Sequence, residues 1–489
     1  MSKLIKFAAL AAVLAAFFGF YCTPLWDMDF WWHIANGRHI VETHIIPEHD
    51  PFGMYEASGV TSDTILKNYW LAQIALFFTY DSWGASGIIF LKASMLAFCL
   101  VVTFVRSMLV GAGWASALLV LSFTGMTLLD FTGERPQLFS FLFFPLMILL
   151  FDFSREKNAL WPLYLLPMLT LLWANSHGGV TLGGVVLCIL ALGYAVERRW
   201  FAGENYGGKW IFIALAATVL CTFISPNGIN NYLFLFTSQL GESEELRNRT
   251  SEYASPITIG LEMGKMLPFY WGFILLAMFT LTKAIRKPHF TPLLVILFLG
   301  GLSLKAFRYI PFFMLYAAPY VALGLTRLTA SIKLPTTSLY GVLLVGALFM
   351  LGDGVRHGKA FQSGVQANRF PQGAVDFMKR SGLAGKVFNA YTWGGYLTWY
   401  LNPQIKVFID GRNLDIQRFR DYTHILWATP YGLQQLELNH FDFVLIPHSN
   451  IFTGEKYNLN AYLLQSPQWR MIYRDQSGYL FSRESGVLR

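Results

Sequence analysis

Eleven apolar runs, at 5–22, 85–106, 113–130, 137–153, 159–175, 180–196, 210–225, 267–283, 290–304, 309–326 and 336–353, occupy most of the first 353 residues. Each approaches the roughly 20 residues that cross a bilayer as a helix. Hydrocarbon offers no water to satisfy backbone N–H and C=O groups, so a stretch of this kind must be helical. Composition points the same way. The chain is 54% hydrophobic and 13% charged, with 43 Phe, against roughly 25% charge in a soluble protein. The first run has a second reading as a cleaved signal peptide, because Lys3 and Lys6 precede an Ala-rich core. An uncleaved first helix supplies the crossing that lets the later loop charges sort correctly.

With the N-terminus inside, the cytoplasmic loops hold Arg155 and Lys157; Arg198, Arg199 and Lys209; Lys283, Arg286 and Lys287; Arg327 and Lys333. Short loops rich in Lys and Arg stay on the cytoplasmic side. Much of the formal +8 charge is therefore topology signal. No basic stripe is interleaved with aromatics, so no nucleic-acid partner is expected. Cys22, Cys99, Cys188 and Cys221 lie in or beside apolar runs without CxxC spacing; they read as small apolar fillers.

The opposite face collects acids, imidazoles and isolated cations. The first loop carries Asp27, Asp29, His33, Glu48, His49 and Asp50. "TGERPQ" brings Glu134 and Arg135, and "ANSHGG" brings Asn175 and His177. "SPNG" at 225–228, a polar loop from about Gly241 to Met266, and Lys305 and Arg308 in "LKAFRYIPFF" complete the set. Polar groups at membrane depth are costly and usually have a partner or a task. The pair Asp27 and Asp29 has three readings: hard oxygen ligands for a divalent cation, a general base, or acids favoured at a helix start. Phe30 to Thr43 reads as an amphipathic helix on the membrane, with Trp31 and Trp32 at the interface.

From about Arg356 the long apolar runs stop. "KVFNAYTWGGYLTWYL", "KVFIDGR", "FDFVLIP" and "RMIYRDQSGYLFSR" read as strands, with helices near Pro371–Ser381 and Gly432–Asn439. The expectation is a polytopic helical membrane domain, 1–355, with its first external loop at 23–84. An external α/β domain, 356–489, follows it, and about 130 residues suffice for its own core. No internal repeat or low-complexity segment stands out.

An opening aspartate after the first helix, an interfacial helix and a closing "HIIPEHDPF" resemble the first external loop of GT-C membrane glycosyltransferases. The likeness is strongest to bacterial and archaeal oligosaccharyltransferase catalytic subunits. Asp29 and Asp50 match the spacing of about twenty residues, with Pro47 and Asp50 in the closing element. "YTWGGYLTWYLNPQIKVFIDGRNLD" resembles the family's "WWDYGY…VxxDN" segment, with Trp393, Tyr396, Asp410 and Asn413 in comparable places. Here Trp393-Gly394-Gly395-Tyr396 stands where the family has an aspartate.

The resemblance implies transfer of a sugar from a polyprenyl-phosphate or polyprenyl-diphosphate donor, with inversion, at the outer leaflet of a bacterial or archaeal cytoplasmic membrane. Its partners would be that donor, an acceptor protein or glycan, and membrane lipid. Asp29 would be the base, with Asp27 and Asp50 assisting, through a divalent cation such as magnesium or manganese held by all three. Arg135, Lys305 and Arg308 would neutralise phosphate, since guanidinium matches it bidentately. His33, His49, Glu134, His177, Trp393, Tyr396, Asp410 and Arg412 would contact substrate. Two other classes use the same residues: a proton-coupled flippase of a lipid-linked sugar, and a non-catalytic assembly protein whose external domain is the active part.

Overall fold

A computed structural model describes residues 2–55, 60–201, 208–233, 251–262, 264–284, 290–330, 336–412, 415–450 and 453–484. Asn413, Arg286, Lys287, Lys333, the start of the polar loop at 241–250 and the side chains of Arg198 and Lys209 lie outside the described residues.

Helices occupy all eleven apolar runs: α1 (Ser2–Tyr21), then Trp70–Leu109, Trp114–Leu128, Gln137–Lys157, Leu166–Ala174, Val180–Phe201, Gly208–Cys221, Pro268–Ala284, Thr291–Lys305, Ile310–Thr329 and Thr336–Arg356. Among the described residues, seven helices are long and apolar enough to cross a membrane, and three more are apolar but shorter. Pro162, Pro167, Pro292 and Pro311 stand in first turns, where the missing N–H costs nothing. Hydroxyls inside the helices bond back to carbonyls one turn earlier, as Thr103 does to Cys99 and Thr124 to Val120. The chain divides into two compact units, Met1–Pro24 with Ser86–Ser363 and Leu25–Ala85 with Gly364–Arg489. Among its described residues the first contains helices and turns and no strand. None of the four cysteines forms a disulfide.

The second unit holds a five-stranded mixed sheet: β1 (Gly385–Asn389), β2 (Ile405–Val407), β3 (Phe443–Pro447), β4 (Trp469–Arg474) and β5 (Gly478–Arg483), in the order β2-β1-β3-β5-β4. β1 runs parallel to β2 and β3, whereas β5 is antiparallel to β3 and β4. β3 is buried along its whole length, which suits its unbroken FVLIP run. Phe388, Val444, Ile425, Leu436, Leu459 and Phe481 form the core beside it. Asp415 caps Ile416–Leu426 by accepting from the N–H groups of Gln417 and Arg418, and Thr429 caps Pro430–Leu438. Each such cap is worth about 1 kcal/mol.

Two expectations are corrected. "KVFNAYTWGGYLTWYL" is a strand only to Asn389; Gly394–Leu401 is a helix. A side chain at Gly395 would lie 3.1 Å from both Met28 O and Trp32 N, so the bare backbone lets this helix close on its neighbour. That neighbour is α2 (Phe30–Thr43). It forms as expected, but Trp31 and Trp32 are buried inside the unit rather than presented at an interface. Trp31 meets Tyr396 edge-on at 4.8 Å and Phe370 at 5.4 Å. Aromatic packing against residues some 340 positions on has taken the surface that the sequence pattern assigned to lipid.

Candidate functional site

In the sheet-bearing unit the first acids sit at the start of α2. Asp27 is buried, and its Oδ1 accepts the Asp29 N–H at 2.9 Å. Asp29 is the N-cap residue of α2, yet its side chain makes no cap hydrogen bond. Its Oδ1 instead accepts from Trp32 Nε1 at 3.2 Å, and the residue is half-buried. A helix-start role alone would aim the carboxylate at backbone N–H groups. Here an indole from the next turn holds it.

The closing element of the loop meets the "IDGR" turn after β2. Asp50 accepts from Phe52 N at 3.0 Å and Gly53 N at 3.2 Å. Both its oxygens also receive Arg412, Nη1 to Oδ1 and Nη2 to Oδ2. Arg412 Nε lies 2.9 Å from each Asp410 oxygen, and Asp410 Oδ1 takes the Arg412 N–H at 3.0 Å. The side chains are 2% exposed for Asp50 and Arg412 and 5% for Asp410. Met54 N donates to Val407 O at 3.1 Å and Lys406 Nζ to Pro51 O at 3.0 Å, so the loop runs along β2 into this clasp. Arg412 holds its proton even more firmly than an ordinary arginine: burial opposes the charge, but Asp410 and Asp50 outweigh it.

The remaining candidates of this unit are packed or exposed. His33 is buried, with Nδ1 3.1 Å from Gln73 Nε2 and its ring 3.6 Å from that of Trp32. Trp393 is buried and donates to Arg369 O at 3.2 Å; Tyr396 stacks on Phe370 at 5.0 Å. His49 is exposed.

The helical unit gathers a second group. Glu134 is fully buried and turned to Lys92, whose Nζ also donates to Thr23 Oγ1 at 2.8 Å. The next residue, Arg135, pairs with Glu252. Arg308 is half-buried, with its guanidinium 4.7 Å over the Tyr253 ring. His177 is buried in the turn after Leu166–Ala174. Its Nδ1 accepts the Gly179 N–H at 2.9 Å and lies 2.7 Å from Ser140 Oγ, which accepts from Trp173 Nε1 at 2.7 Å. With Nδ1 an acceptor, the ring proton resides on Nε2. Burial, then Arg308 and Arg135, lower the His177 pKa to about 3 against a smaller opposing pull from Glu252. Burial would raise the Glu252 carboxyl, but Arg135 and Arg308 hold it below the usual range. Arg135, Arg308 and a neutral His177 thus act on one another electrostatically. Lys305 ends the helix Thr291–Lys305 as an exposed side chain.

Glu252 and Lys92 belong to these arrangements and are not among the candidates from sequence. Glu252 stands in "TSEYASP" with no motif around it, and Lys92 reads as one charge near the end of an apolar run. The three aspartates proposed as metal ligands do not come together. Among the described residues no group of three or more His, Cys, Asp or Glu is placed to hold a metal, and Arg412 engages both Asp50 oxygens. That donor set does not fit a metal.

Solved structures with this fold exist. Archaeal oligosaccharyltransferase AglB from Archaeoglobus fulgidus, in complex with an inhibitory peptide and a dolichol-phosphate, is similar with a TM-score of 0.56 and 10% identity, over 90% of this chain and 69% of that chain. The Archaeoglobus fulgidus oligosaccharyltransferase tethered with an acceptor peptide containing the NVT sequon gives 0.58 and 9%, over 98% and 74%. Its complex with Zn and sulfate gives 0.55 and 10%, over 99% and 73%. At such identities the likeness is one of fold, shared with these oligosaccharyltransferase structures. No protein-family model matches the chain, and no curated protein matches it in sequence.

Proposed function

We propose that this chain is an inverting membrane glycosyltransferase. It would move a sugar or glycan from a polyprenyl-phosphate or polyprenyl-diphosphate donor to an acceptor protein or glycan outside the cytoplasmic membrane of a bacterium or archaeon. The fold supports the reaction class, and a neighbour of that fold was solved with a dolichol-phosphate and a peptide. The observation that carries the reading is the cluster of Arg135, Arg308 and neutral His177. A sugar-lipid head is an anion. Two guanidinium groups supply charge and fork geometry for a phosphate, and a neutral imidazole with Nε2–H offers a donor without adding charge.

In the step we propose, the acceptor heteroatom attacks the anomeric carbon as its proton passes to the Asp29 carboxylate. The bond from that carbon to the phosphate oxygen breaks, and its electron pair leaves with the phosphate. Trp32 and the backbone tie to Asp27 fix the base; the charge that develops on the departing phosphate is stabilised by cationic donors. In this reading 1–355 carries the spans, while the loop 23–84 and the domain 356–489 lie outside. Tags after Arg199 and Lys287 are then shielded in intact cells, and a tag at Arg489 is accessible. A cytoplasmic C-terminus overturns the orientation.

The buried pairs Lys92–Glu134 and Arg106–Asp152 favour the flippase reading, since ionisable groups among helices can carry proton coupling. One experiment separates the two. The purified protein is given a synthetic polyprenyl-phosphate carrying a radiolabelled hexose, and sugar transfer and lipid flipping are both followed. Transfer by the wild type, its loss in Asp29→Asn with lipid binding retained, and raised donor demand in Arg135→Ala and Arg308→Ala are expected. Wild-type behaviour by all three variants overturns the proposal.

A further inference from the structure

We propose that Gly411 and Arg412 are positioning residues for Asp29, and that Asp50 and Asp410 serve to hold Arg412 rather than to meet substrate. The inference rests on the reading of Asp29 as the base. Gly411 lies between two residues whose side chains are locked to each other, and Arg412 is locked in turn to Asp50, 362 positions away. The turn therefore has little freedom to retreat. A Cβ built on Gly411 would collide with Asp29 Oδ1 and lie 3.6 Å from Trp32 Nε1. Gly411 has no positive φ. A side chain here would therefore have to displace the Asp29 carboxylate, and backbone conformation is not the obstacle.

Asp29 is thus held by three contacts, two of them on its carboxylate. Asp27 fixes its backbone N–H, the Trp32 indole holds Oδ1, and the bare α-carbon of Gly411 bounds the same oxygen. Tyr391 donates from its hydroxyl to Gly411 O at 3.3 Å, which supports the turn from behind. Two of these contacts are local in sequence. The third is delivered by the clasp, whose ion pairs tie the closing element of the loop to the turn that bounds Asp29. Asp50 already takes two backbone N–H groups and both arms of Arg412. Its chemistry is spent on that hold.

The test uses the full-length purified protein in four forms: wild type, Gly411→Ala, Asp29→Ala and the double variant. Thermal unfolding needs no substrate. Gly411→Ala is expected to lower Tm by a few degrees in the wild-type background and by less than half as much where Asp29 is already Ala, because the collision partner is gone. Equal drops in both backgrounds overturn the contact. If Gly411→Ala does not fold, recovery of a folded protein in the double variant supports the inference, and failure of both overturns it. Turnover of the polyprenyl-phosphate hexose is the second readout. Displacement of a catalytic group by about 1 Å costs on the order of 100-fold, so Gly411→Ala is expected to lose about that much kcat with less than about threefold change in KM. Full turnover by Gly411→Ala overturns the positioning role while Asp29→Asn remains inactive, and the proposed function stands. Full turnover by Asp29→Asn removes the base instead, which is a failure of the function reading and not of the contact.

Discussion

The two charged groups of this protein use the same residue types to opposite effect. In the sheet-bearing unit, one guanidinium is shared by two carboxylates, and the Asp50, Asp410 and Arg412 side chains are 5% exposed or less. In the helical unit, two guanidinium groups act on His177 against one carboxylate. The Arg135 and Glu252 side chains there are 26% and 22% exposed. Ions taken out of water must be closely paired and hydrogen-bonded. The first group meets that demand through Asp50's two backbone donors and Arg412's forked contacts, leaving little for a ligand to add. The second group is less deeply buried and carries an excess of positive charge among its described members. Burial and the local count of charge, more than residue identity, separate a fastening from a site.

The largest expected effect follows from breaking the fastening. Arg412→Ala leaves two carboxylates buried and uncompensated, which costs about 3–5 kcal/mol. Thermal unfolding should show a large loss. Replacing Asp50, Asp410 and Arg412 together by apolar residues of similar volume should recover much of it, because no unpaired charge is left behind. An Arg412→Ala protein as stable as the wild type would mean that these groups are wetter and looser than the clasp described here.

That clasp was only half legible beforehand. The spacing of Asp29 and Asp50 and the residues Asp410 and Arg412 each stand out in the sequence, and the apolar runs announce their helices by length. The partnership of Asp50 with Arg412 does not, because contacts between residues 362 apart leave no periodic trace. The same gap explains α2. Its pattern suits a surface helix, and packing by Tyr396, Tyr400 and Phe370 on one side and Tyr80 and Gln73 on the other makes it a core element. The segment Gly394–Leu401 in turn reads as a strand from its Tyr, Trp and Thr content; the packing of Tyr396 against Trp31, with the close approach that Gly395 permits, overrides that preference. Glu252 was invisible for a plainer reason: a single acid in a polar loop gains meaning from the arginine it meets.

The site side of the comparison is probed next. A charge-assisted contact is worth about 1.5–3 kcal/mol, so Arg135→Ala or Arg308→Ala is expected to weaken binding of a polyprenyl phosphate tenfold or more. Lys at either position should restore only part, since the planar fork is lost. Binding can be followed by lipid-dependent thermal shift, without an acceptor. Unchanged binding in both variants would remove the ligand from this cluster.

A somewhat smaller effect is expected from His177. Its folded pKa of about 3 lies below the ordinary value of 6.5. The unfolded chain therefore binds a proton in that interval that the folded chain refuses, and stability falls as the pH drops from about 6.5 toward 3. Between pH 6.5 and 5 the loss from this residue is about 2 kcal/mol. Glu252, whose folded pKa is lowered, contributes stability that is present above its unfolded value and lost only as pH falls through the folded one. It adds little above pH 5. His177→Gln keeps a hydrogen-bonding amide but cannot titrate, so its unfolding profile between pH 5 and 7 should be flatter than that of the wild type. Parallel profiles would place His177 in a more polar setting than its burial indicates.

The smallest expected effect tests whether burial is the right criterion at all. Lys305 is a cation like Arg308 and only three residues away, but it is exposed at the last turn of its helix. Its local role is to sit at the negative end of the helix dipole, worth about 0.3–1 kcal/mol. Toward a phosphate it acts through water, where charges further apart than the Debye length of about 8 Å at physiological salt are screened. Lys305→Ala is therefore expected to change polyprenyl-phosphate binding less than about twofold near 0.15 M salt, with a larger difference at about 0.01 M, where the Debye length reaches about 30 Å. Arg308 is half-buried against Tyr253 and should keep most of its effect across the same range. Equal losses from Lys305→Ala and Arg308→Ala at physiological salt would show that the anion meets both cations directly, and the line drawn here between a half-buried site and a solvated helix end would have to move.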